Sequence, residues 1–262
     1  MPLIDPAQLK TRLRVPGRFD VDALDACDST NSEMSRRAAG GAPRGTVIVA
    51  DCQSAGRGRR GRQWSSTPEA SLTFSVLWRF PGPATRLAGL SLAVGLALAR
   101  ALESLGASGV RLKWPNDLLL ERDGQFAKLG GILVELSSER LATQAVIGIG
   151  INLLPPPEEF AFAASGLSDA FVAVPERHVL LAAILDELAA VLDHFEATGF
   201  AALKADWQCY NAWQGRPVKV LDEARAPIEG RCLGVDEEGV LLLETASGVE
   251  RIYAGDVSLR PA

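Results

Sequence analysis

The segment QSAGRGRRGRQW, residues 53–64, carries four arginines and three glycines and lies between two apolar runs, VIVA (47–50) and SLTFSVLW (71–78). Short apolar runs rich in β-branched and aromatic residues are typical of buried strands. The glycines disfavour a helix or a strand within the segment itself. The sequence therefore predicts a basic loop, called the arginine loop below, that joins two strands.

The composition of the arginine loop suits the binding of a phosphate or a carboxylate. Backbone amides donate to an anion, and guanidinium groups add bidentate, charge-assisted hydrogen bonds. A solvated basic loop and an RGG-like contact with RNA are the alternatives. RGG segments usually repeat in disordered tails, whereas this one is single and lies between strands. Its GxGxxG spacing does not indicate a dinucleotide site, because a strand and not a helix follows it.

The overall composition is that of a soluble globular protein. The chain has 262 residues, of which 47% are hydrophobic and 23% are charged, enough for one large domain or a medium domain with a small one. Its formal net charge of −5 argues against a protein whose main task is to coat nucleic acid. The four cysteines form no CxxC pair, so reduced thiols are expected.

The N-terminus and the apolar runs predict a cytoplasmic location. The opening residues, MPLIDPAQLKTRLRVPG, lack the apolar core of a signal peptide. The longest apolar run, Leu87 to Ala99, is shorter than the roughly 20 residues that span a bilayer.

The hydrophobic pattern predicts a larger α/β domain followed by a small β domain. After a lead-in of 20 residues, helices are predicted over 85–106, 176–197 and 199–213, and strands over 110–114, 128–138 and 143–154. The last of these strands is apolar enough to be central. Short β segments separated by turn signals such as DEEG and ASG begin at residue 215. The predicted domains are therefore residues 1–214 and residues 215–262.

The segment KWPNDLLL, residues 113–120, places polar residues at the end of a predicted strand. Ligands of α/β proteins bind at strand ends. Lys113 can neutralise a phosphate there, and Asp117 can hold a metal or accept a proton. An Asx turn formed by Asn116 is the alternative, and it would explain the segment without a ligand.

Three further segments each allow two interpretations. In KLGGILVE, Lys128 either reaches an anion across the two glycines or is a surface lysine beside a turn. The glycines of GIGINL (148–153) imply a close neighbour, which is either a ligand or another part of the chain. In DSTNSEM (28–34), Thr30 and Glu33 match a capping box, but the polar side chains can also bind an uncharged polar group.

His178 and His194 lie far from these segments and are predicted to be structural or surface residues.

The order of these motifs closely resembles that of the biotin protein ligases, also called biotin–[acetyl-CoA-carboxylase] ligases or holocarboxylase synthetases. The motifs are STN, QSAGRGRRGRQW, KWPNDLLL, KLGGILVE and GIGINL, followed by a small β domain. GRGRRGRxW with KWPND downstream is highly specific to that family. The resemblance implies an α+β fold, with a class II synthetase-like catalytic domain of mixed sheet and flanking helices and an SH3-like C-terminal barrel.

The resemblance also implies a two-step reaction. Biotin and Mg-ATP would give biotinyl-5′-AMP and pyrophosphate, and biotin would then pass to one lysine of the biotin carboxyl carrier protein of acetyl-CoA carboxylase. Mg²⁺ would be held mainly through phosphates and not by fixed side-chain ligands. Bifunctional members carry an N-terminal helix-turn-helix domain, which the start of this sequence does not match, so no specific DNA binding is expected. Both a monomer and a homodimer remain open.

The resemblance assigns roles to the residues that match the family's motifs. Biotin's ureido head would be held by Ser29, Thr30, Asn31 and Gln53. Biotin and the adenylate phosphate would be covered by Arg57, Gly58 and Arg59. The nucleotide would contact Arg60, Arg62, Trp64, Gly130, Gly131 and Asn152. The biotin carboxylate and the α-phosphate would meet Lys128, and the adenylate and the acceptor lysine would meet Lys113, Asn116 and Asp117.

The implied chemistry requires fixed positive charge, because a carboxylate must attack a phosphate. Electrostatic stabilisation of this kind is usually the largest catalytic contribution. It would come from Arg57, Arg59, Lys113 and Lys128, while Asp117 would orient the acceptor lysine or take its proton. The rival functions are a related lipoate-type ligase and, in another class, a nucleic-acid-binding module built on the arginine loop.

Overall fold

The protein was analysed as a computed structural model that describes residues 1–156, 163–222, 225–255 and 257–261. The α-helices are α1 (Pro6–Arg12), α2 (Thr30–Ala39), α3 (Leu90–Ser104), α4 (Leu167–Ala170), α5 (Arg177–Thr198) and α6 (Lys204–Tyr210). Short 3-10 turns occur at Arg59–Gly61, Ala84–Leu87 and Phe200–Ala202.

Twelve strands are found in the described part of the chain, and they form two sheets. The strands of the large sheet are β1 (Asp20–Cys27), β2 (Thr46–Gln53), β3 (Ser71–Pro81), β4 (Val110–Lys113), β5 (Asp117–Arg122), β6 (Gln125–Ser138) and β7 (Ala142–Asn152). The strands of the small sheet are β8 (Pro217–Asp222), β9 (Arg225–Val235), β10 (Leu241–Thr245), β11 (Gly248–Ile252) and β12 (Val257–Pro261).

The large sheet is mixed and has the order β1-β2-β3-β7-β6-β5-β4. Strands β1 and β2 are parallel, and the other neighbouring pairs are antiparallel. Strand β7 is central, as its continuous apolar sequence predicts, and nine of its eleven residues are buried.

Different helices pack against the two faces of the large sheet. Side chains alternate along each strand, so adjacent residues contact opposite faces. Val47, Val76 and Ile147 join the main core beneath α3 and α5. The adjacent residues Ile48 and Leu77 point to the other face and pack against α2. Helix α2 is short, so it covers only part of that face, and the uncovered part holds the site described below.

Helix α3 is the main core helix. Its leucine- and alanine-rich sequence favours a helix, and eleven of its fifteen residues are buried. Helix α3 and the preceding turn, Ala84–Ser104, form the one segment of the described chain that is long and apolar enough to cross a membrane. Of its 18-residue apolar window, 67% is buried inside the protein.

The C-terminal strands form an antiparallel sheet in the order β11-β10-β9-β8-β12. Its core includes Val218, Leu241 and Leu259. It contacts the larger part of the protein directly, since Trp114 Nε1 donates to the Gly239 carbonyl at 3.1 Å and Lys204 pairs with Glu237 at 2.6 Å.

The predicted α+β class, with a mixed sheet, flanking helices and a C-terminal β unit, is confirmed. One local prediction, the helix over 199–213, was wrong, and two elements, α1 and β5, were not predicted. The lead-in contains α1, whose N-cap Asp5 accepts from Ala7 and Gln8. The predicted helix over 199–213 is broken into a 3-10 turn and α6. The residues after KWPN continue as β5, which pairs with both β4 and β6.

Candidate active site

A cavity of about 110 Å³ lies on the sheet face that α2 leaves uncovered, beneath the arginine loop. Its walls bring together most residues of the sequence motifs. The predicted site residues on its wall are Ser29, Thr30, Asn31, Gln53, Arg57, Gly58, Arg59, Arg60, Arg62, Trp64, Lys113, Asn116, Asp117, Lys128 and Gly131. Ligand pockets usually measure about 300–1,000 Å³, so this cavity is small for a ligand site.

A buried polar network forms the end of the cavity at the start of α2. Thr30 donates from its backbone N–H to Gln53 Oε1 at 2.7 Å, and its hydroxyl lies 2.8 Å from that of Ser75. Ser75 Oγ also lies 2.7 Å from Asn31 Oδ1. The Asn31 oxygen can only accept, so Ser75 is its donor. The Thr30 hydroxyl also lies 3.2 Å from Gln53 Oε1, to which it can donate.

This network decides between the two interpretations of DSTNSEM. The predicted capping box is not formed, because Ser29 is the N-cap of α2 and makes no side-chain capping bond. Thr30 is already the first helical residue, and Glu33 bonds to Arg36 and Arg37. The STN side chains face the cavity, where they present hydroxyl and amide groups without formal charge.

The glycines of GIGINL make room for side chains on the site face. A Cβ on Gly148 would lie 2.2 Å from Asn31 Oδ1, and one on Gly150 would lie 2.3 Å from Trp64 Cε2. The close neighbours are thus Asn31 and the Trp64 indole, which leaves no room for a Cβ at residue 150. The indole Nε1 is buried and makes no hydrogen bond.

Two lysines meet one carboxylate at the opposite end of the cavity. Lys128 Nζ donates to Asp117 Oδ1 at 2.6 Å, and Lys113 Nζ donates to Asp117 Oδ2 at 2.9 Å. The Asp117 side chain is only 15% exposed. The antiparallel pairing of β5 with β4 and β6 produces this cluster, because Asp117 lies opposite Lys113 on β4, and Lys128 on β6 lies opposite Leu119, two residues along β5.

The charges of this cluster shift the pKa values of its members. Burial alone would raise the pKa of Asp117, but the charges of Lys128 and Lys113 outweigh it and hold that pKa at about 2. Burial lowers the pKa of Lys113, against the attraction of Asp117. At neutral pH Asp117 is therefore ionised, and both its oxygens already accept from lysines.

The arginine loop is held over the cavity by its side chains. Arg59 donates to Asn116 Oδ1 at 3.2 Å and to the carbonyls of Ala254 and Gly255 at 2.8 Å each. The Asn116 amide in turn donates to the Ile132 carbonyl. The Asn116 side chain therefore supports the loop, which the Asx-turn alternative did not anticipate.

Two predicted site residues do not reach the cavity wall. Gly130 lies where a Cβ would be 2.7 Å from the Gly150 carbonyl, so its role here is close strand packing. Asn152 donates to the carbonyls of Lys128 and Ser165. Contact of these two residues with a nucleotide stays a prediction.

Sequence reasoning missed several residues of the site. Ser75 is fully buried within an apolar strand, and its polarity at such a position was a usable signal. Ser258 and Leu259 of β12 line the cavity. Burial and the nearby charge of Arg62 lower the pKa of the neighbouring Arg260, against the attraction of Asp117. No local sequence signal links β12 to residues 53–64, since only folding brings them together.

No group of three or more metal-ligating side chains occurs within the described ranges. Asp117, the carboxylate on the cavity wall, is engaged by two lysines and is poorly suited to bind a cation. The His178 ring accepts from the Asp5 N–H and contacts Glu176, away from the cavity.

Family models match both parts of the chain. A model of the biotin/lipoate A/B protein ligase family matches residues 25–152, and a model of the biotin protein ligase C-terminal domain matches residues 215–260. The chain is 39% identical over 268 residues to the bifunctional ligase/repressor BirA of Escherichia coli K12, covering 99% of this chain and 81% of that protein.

Two further proteins are similar over nearly their whole length. The biotin–[acetyl-CoA-carboxylase] ligase of Mycobacterium tuberculosis is 34% identical over 263 residues, which is 98% of this chain and 96% of that protein. A solved structure of the biotin protein ligase from Aquifex aeolicus in complex with biotin and ATP has a TM-score of 0.79 and 31% identity, over 93% of this chain and 99% of that one.

Proposed function

The chain belongs to the biotin protein ligase family, and we propose that its described cavity activates biotin with ATP and passes it to a carrier protein. The enzyme is a biotin ligase that forms biotinyl-5′-AMP and pyrophosphate. It then transfers biotin to a lysine of the biotin carboxyl carrier protein of acetyl-CoA carboxylase, with release of AMP. The observation that carries the proposal is the cluster of Lys128, Lys113 and Asp117 beneath the arginine loop.

In the first step, the lysines and arginines of the site reduce the repulsion between two anions. An oxygen of the biotin carboxylate attacks the α-phosphorus, and the bond from that phosphorus to the β-phosphate oxygen breaks. Lys128 and Arg59 line the cavity and would supply fixed positive charge where negative charge accumulates. Mg²⁺ would be held by the ATP phosphates and would neutralise the departing pyrophosphate.

In the second step, the acceptor lysine attacks the acyl carbon, and the bond to the adenylate oxygen breaks. Asp117 is unsuited to take the proton, because its pKa of about 2 makes it a weak base. We assign Asp117 the task of fixing Lys113 and Lys128 in position. This choice replaces the broader expectation that it either orients the acceptor lysine or accepts its proton.

The polar end of the cavity favours biotin over lipoate. The network of Thr30, Asn31 and Ser75 offers hydroxyl and amide groups, which match an uncharged polar head such as a ureido group. The dithiolane ring of lipoate is apolar and would form no hydrogen bonds with these groups.

The remaining roles follow the motif assignments. We propose that Ser29 and Gln53 complete the site for the biotin head, and that Arg57 and Gly58 cover the adenylate. Arg60 and Arg62 would contact the ATP phosphates, and Trp64 would pack near the adenine, with Gly131 beside it. The proximity of a Gly131 Cβ position to Trp64 (3.8 Å) and to Lys128 Nζ (3.5 Å) supports this placement.

Domain boundaries, oligomeric state, DNA binding and location are further parts of the proposal. We propose a domain boundary between residues 214 and 215. Two observations support it: β8 begins at Pro217, and the match to the C-terminal family model begins at residue 215. A monomer or a homodimer, a cytoplasmic location and the lack of specific DNA binding stay predictions. A gel shift on operator DNA and size-exclusion chromatography with light scattering test two of them.

The proposed activity is tested with purified chain, ATP, Mg²⁺ and a purified biotin carrier domain. Biotin, but not lipoate, should elicit pyrophosphate release and labelling of the carrier. Lys128→Ala should lower the adenylation rate by about 10²–10³. Lys204→Ala, which removes a lysine paired with Glu237 on the surface, should behave as wild type. Equal use of lipoate, or full activity of Lys128→Ala, would refute the proposal.

A further inference from the structure

Glu135 joins the arginine loop to the buried polar network. It lies on β6, on the same face of the sheet as Gly131 and Leu133. Arg57 donates from Nη1 to Glu135 Oε1 at 2.8 Å and from Nη2 to Oε2 at 2.7 Å, a bidentate pair. Asn31 Nδ2 donates to the same Oε2 at 2.8 Å. One carboxylate therefore binds both the loop and a side chain that reaches the polar end of the cavity.

We propose that Glu135 is a positioning residue that latches the arginine loop over the site and couples this latch to the polar network through Asn31. The proposal deepens the ligase function given above and rests on it for the identity of the enclosed intermediate. Glu135 is absent from the wall of the inner cavity but lines a second cavity on the outer side of the loop. The Glu135 carboxylate contacts Arg57 and Asn31, and it is through these two side chains that it acts on the loop and the site.

The geometry of the latch leaves Arg57 able to serve an anion. A guanidinium carries five N–H donors in one plane. The two bonds to Glu135 use one edge of this group, formed by Nη1 and Nη2. The pair is only partly exposed, with side-chain exposures of 44% for Arg57 and 35% for Glu135. Bidentate arginine–carboxylate pairs are among the stronger ion pairs, since both partners are charged and the geometry is fixed.

Backbone hydrogen bonds hold the base of the arginine loop, called its neck below. At its neck, Trp64 N–H donates to the Gly56 carbonyl at 2.9 Å, and the Ala55 N–H donates to the Asp28 carbonyl at 2.8 Å. A Cβ on Gly56 would lie 2.3 Å from the Trp64 carbonyl, so the neck closes only with glycine there. Beyond the neck, the pairing of Arg57 with Glu135 links the loop to β6, and Arg59 links it to the C-terminal sheet.

Asn31 connects the pair of Arg57 and Glu135 to the proposed binding site for the ureido head of biotin. Asn31 donates to Glu135 and to the Leu133 carbonyl at 3.2 Å, while its oxygen is held by Ser75. A ligand that orders Asn31 therefore also orders the carboxylate that holds Arg57. The loop should then stay closed while the adenylate is present and open more readily when the site is empty.

Limited trypsin digestion of the ligand-free protein tests the latch without using any activity. Trypsin cleaves after arginine, and cleavage of a transiently open segment follows the population of the open form. Glu135→Gln removes the charge but retains the shape and an acceptor for Asn31. We expect cleavage within residues 57–62 to be about fivefold faster in this variant, the upper range for a partly exposed ion pair. Glu139→Gln is the matched control, because Glu139 lies just beyond β6 and pairs with Arg79.

The result that would overturn the latch is equal cleavage of Glu135→Gln and Glu139→Gln. Circular dichroism and thermal unfolding show whether each variant is folded. If Glu135→Gln does not fold, Glu135→Asp serves instead, since it keeps the charge but shortens the reach and should also be cleaved faster. Equal cleavage of Glu135→Asp and wild type would likewise contradict the proposal.

A second readout separates positioning from a general loss of structure. With saturating biotin and ATP, Glu135→Gln should release biotinyl-5′-AMP about fivefold faster than wild type, measured by trapping the adenylate after dilution. The KM for biotin should rise while kcat for carrier labelling changes less than twofold. A wild-type protein that makes no adenylate would refute the proposed function and leave the digestion result valid, so the two failures are distinguishable.

Discussion

Replacing Asp117 by asparagine removes the one carboxylate that neutralises Lys113 and Lys128 on the cavity wall. Each pKa unit corresponds to about 1.36 kcal/mol of differential interaction. The pKa of Asp117 falls from the ordinary 3.8 to about 2, which corresponds to about 2 kcal/mol of stability. The side chain is 15% exposed, so solvent screening reduces this value little. Asp117→Asn should therefore lower the free energy of unfolding at pH 7 by about 2 kcal/mol.

The pH dependence of this loss follows from the sign of the pKa shift. A carboxyl whose pKa is lowered by folding stabilises the folded state above its unfolded pKa, and this stability is lost as the pH falls through the folded value. The difference between wild type and Asp117→Asn should be constant from pH 7 to 5. It should narrow below about pH 4 and be roughly half as large at pH 3.

Urea unfolding at pH 7, 5, 4 and 3, followed by circular dichroism, measures this difference. Asp206→Asn is the matched control, because Asp206 is 52% exposed and pairs with Arg100 on the surface. Its effect should stay below about 1 kcal/mol. If Asp117→Asn lost nothing at pH 7, or lost the same amount at pH 3 as at pH 7, the assignment of charge in this cluster would be wrong.

Three further outcomes follow from the geometry of the site. Gly150→Ala places a Cβ 2.3 Å from the Trp64 ring and should raise the KM for ATP by about tenfold or more. The control Gly17→Ala has open space around the new Cβ and should leave the KM for ATP unchanged. Ser75→Ala leaves the Asn31 oxygen without its buried partner and should lower stability by about 1–3 kcal/mol while weakening biotin binding in calorimetry. At pH 8, iodoacetamide should alkylate the exposed Cys209 before Cys27. Burial and the charges of Asp28 and Glu33 raise the pKa of Cys27 to about 11, so little of its reactive thiolate is present. A faster reaction at Cys27, measured by mass spectrometry, would contradict this expectation.

Much of the fold could be predicted because its central elements have strong local patterns. The apolar runs of β2, β3 and β7 and the leucine- and alanine-rich α3 each have one favourable structure. The elements that were missed are amphipathic or short. Strand β1 has only partly buried and exposed residues, and β5 directly follows the KWPN turn, so that no separate pattern marks it.

The residue types of the site were also contained in the sequence. Arginines between glycines, lysines beside strand ends and the polar STN group predicted the charge and polarity of the cavity. The sequence alone also predicted a loop and not a helix between β2 and β3, because glycine at three positions removes the preference for either regular structure.

Only the tertiary structure decided which of these residues act on one another. The pairing of Asp117 with two lysines depends on β4, β5 and β6 lying side by side. Glu135 meets Arg57 across 78 positions of the chain, and Arg59 meets the carbonyl of Ala254 across 195. Side-chain partners at such separations are set by strand register and by domain docking, which no local pattern encodes. The sequence thus determined the chemistry that is present, and the fold determined which charges are already neutralised and which hold the loop.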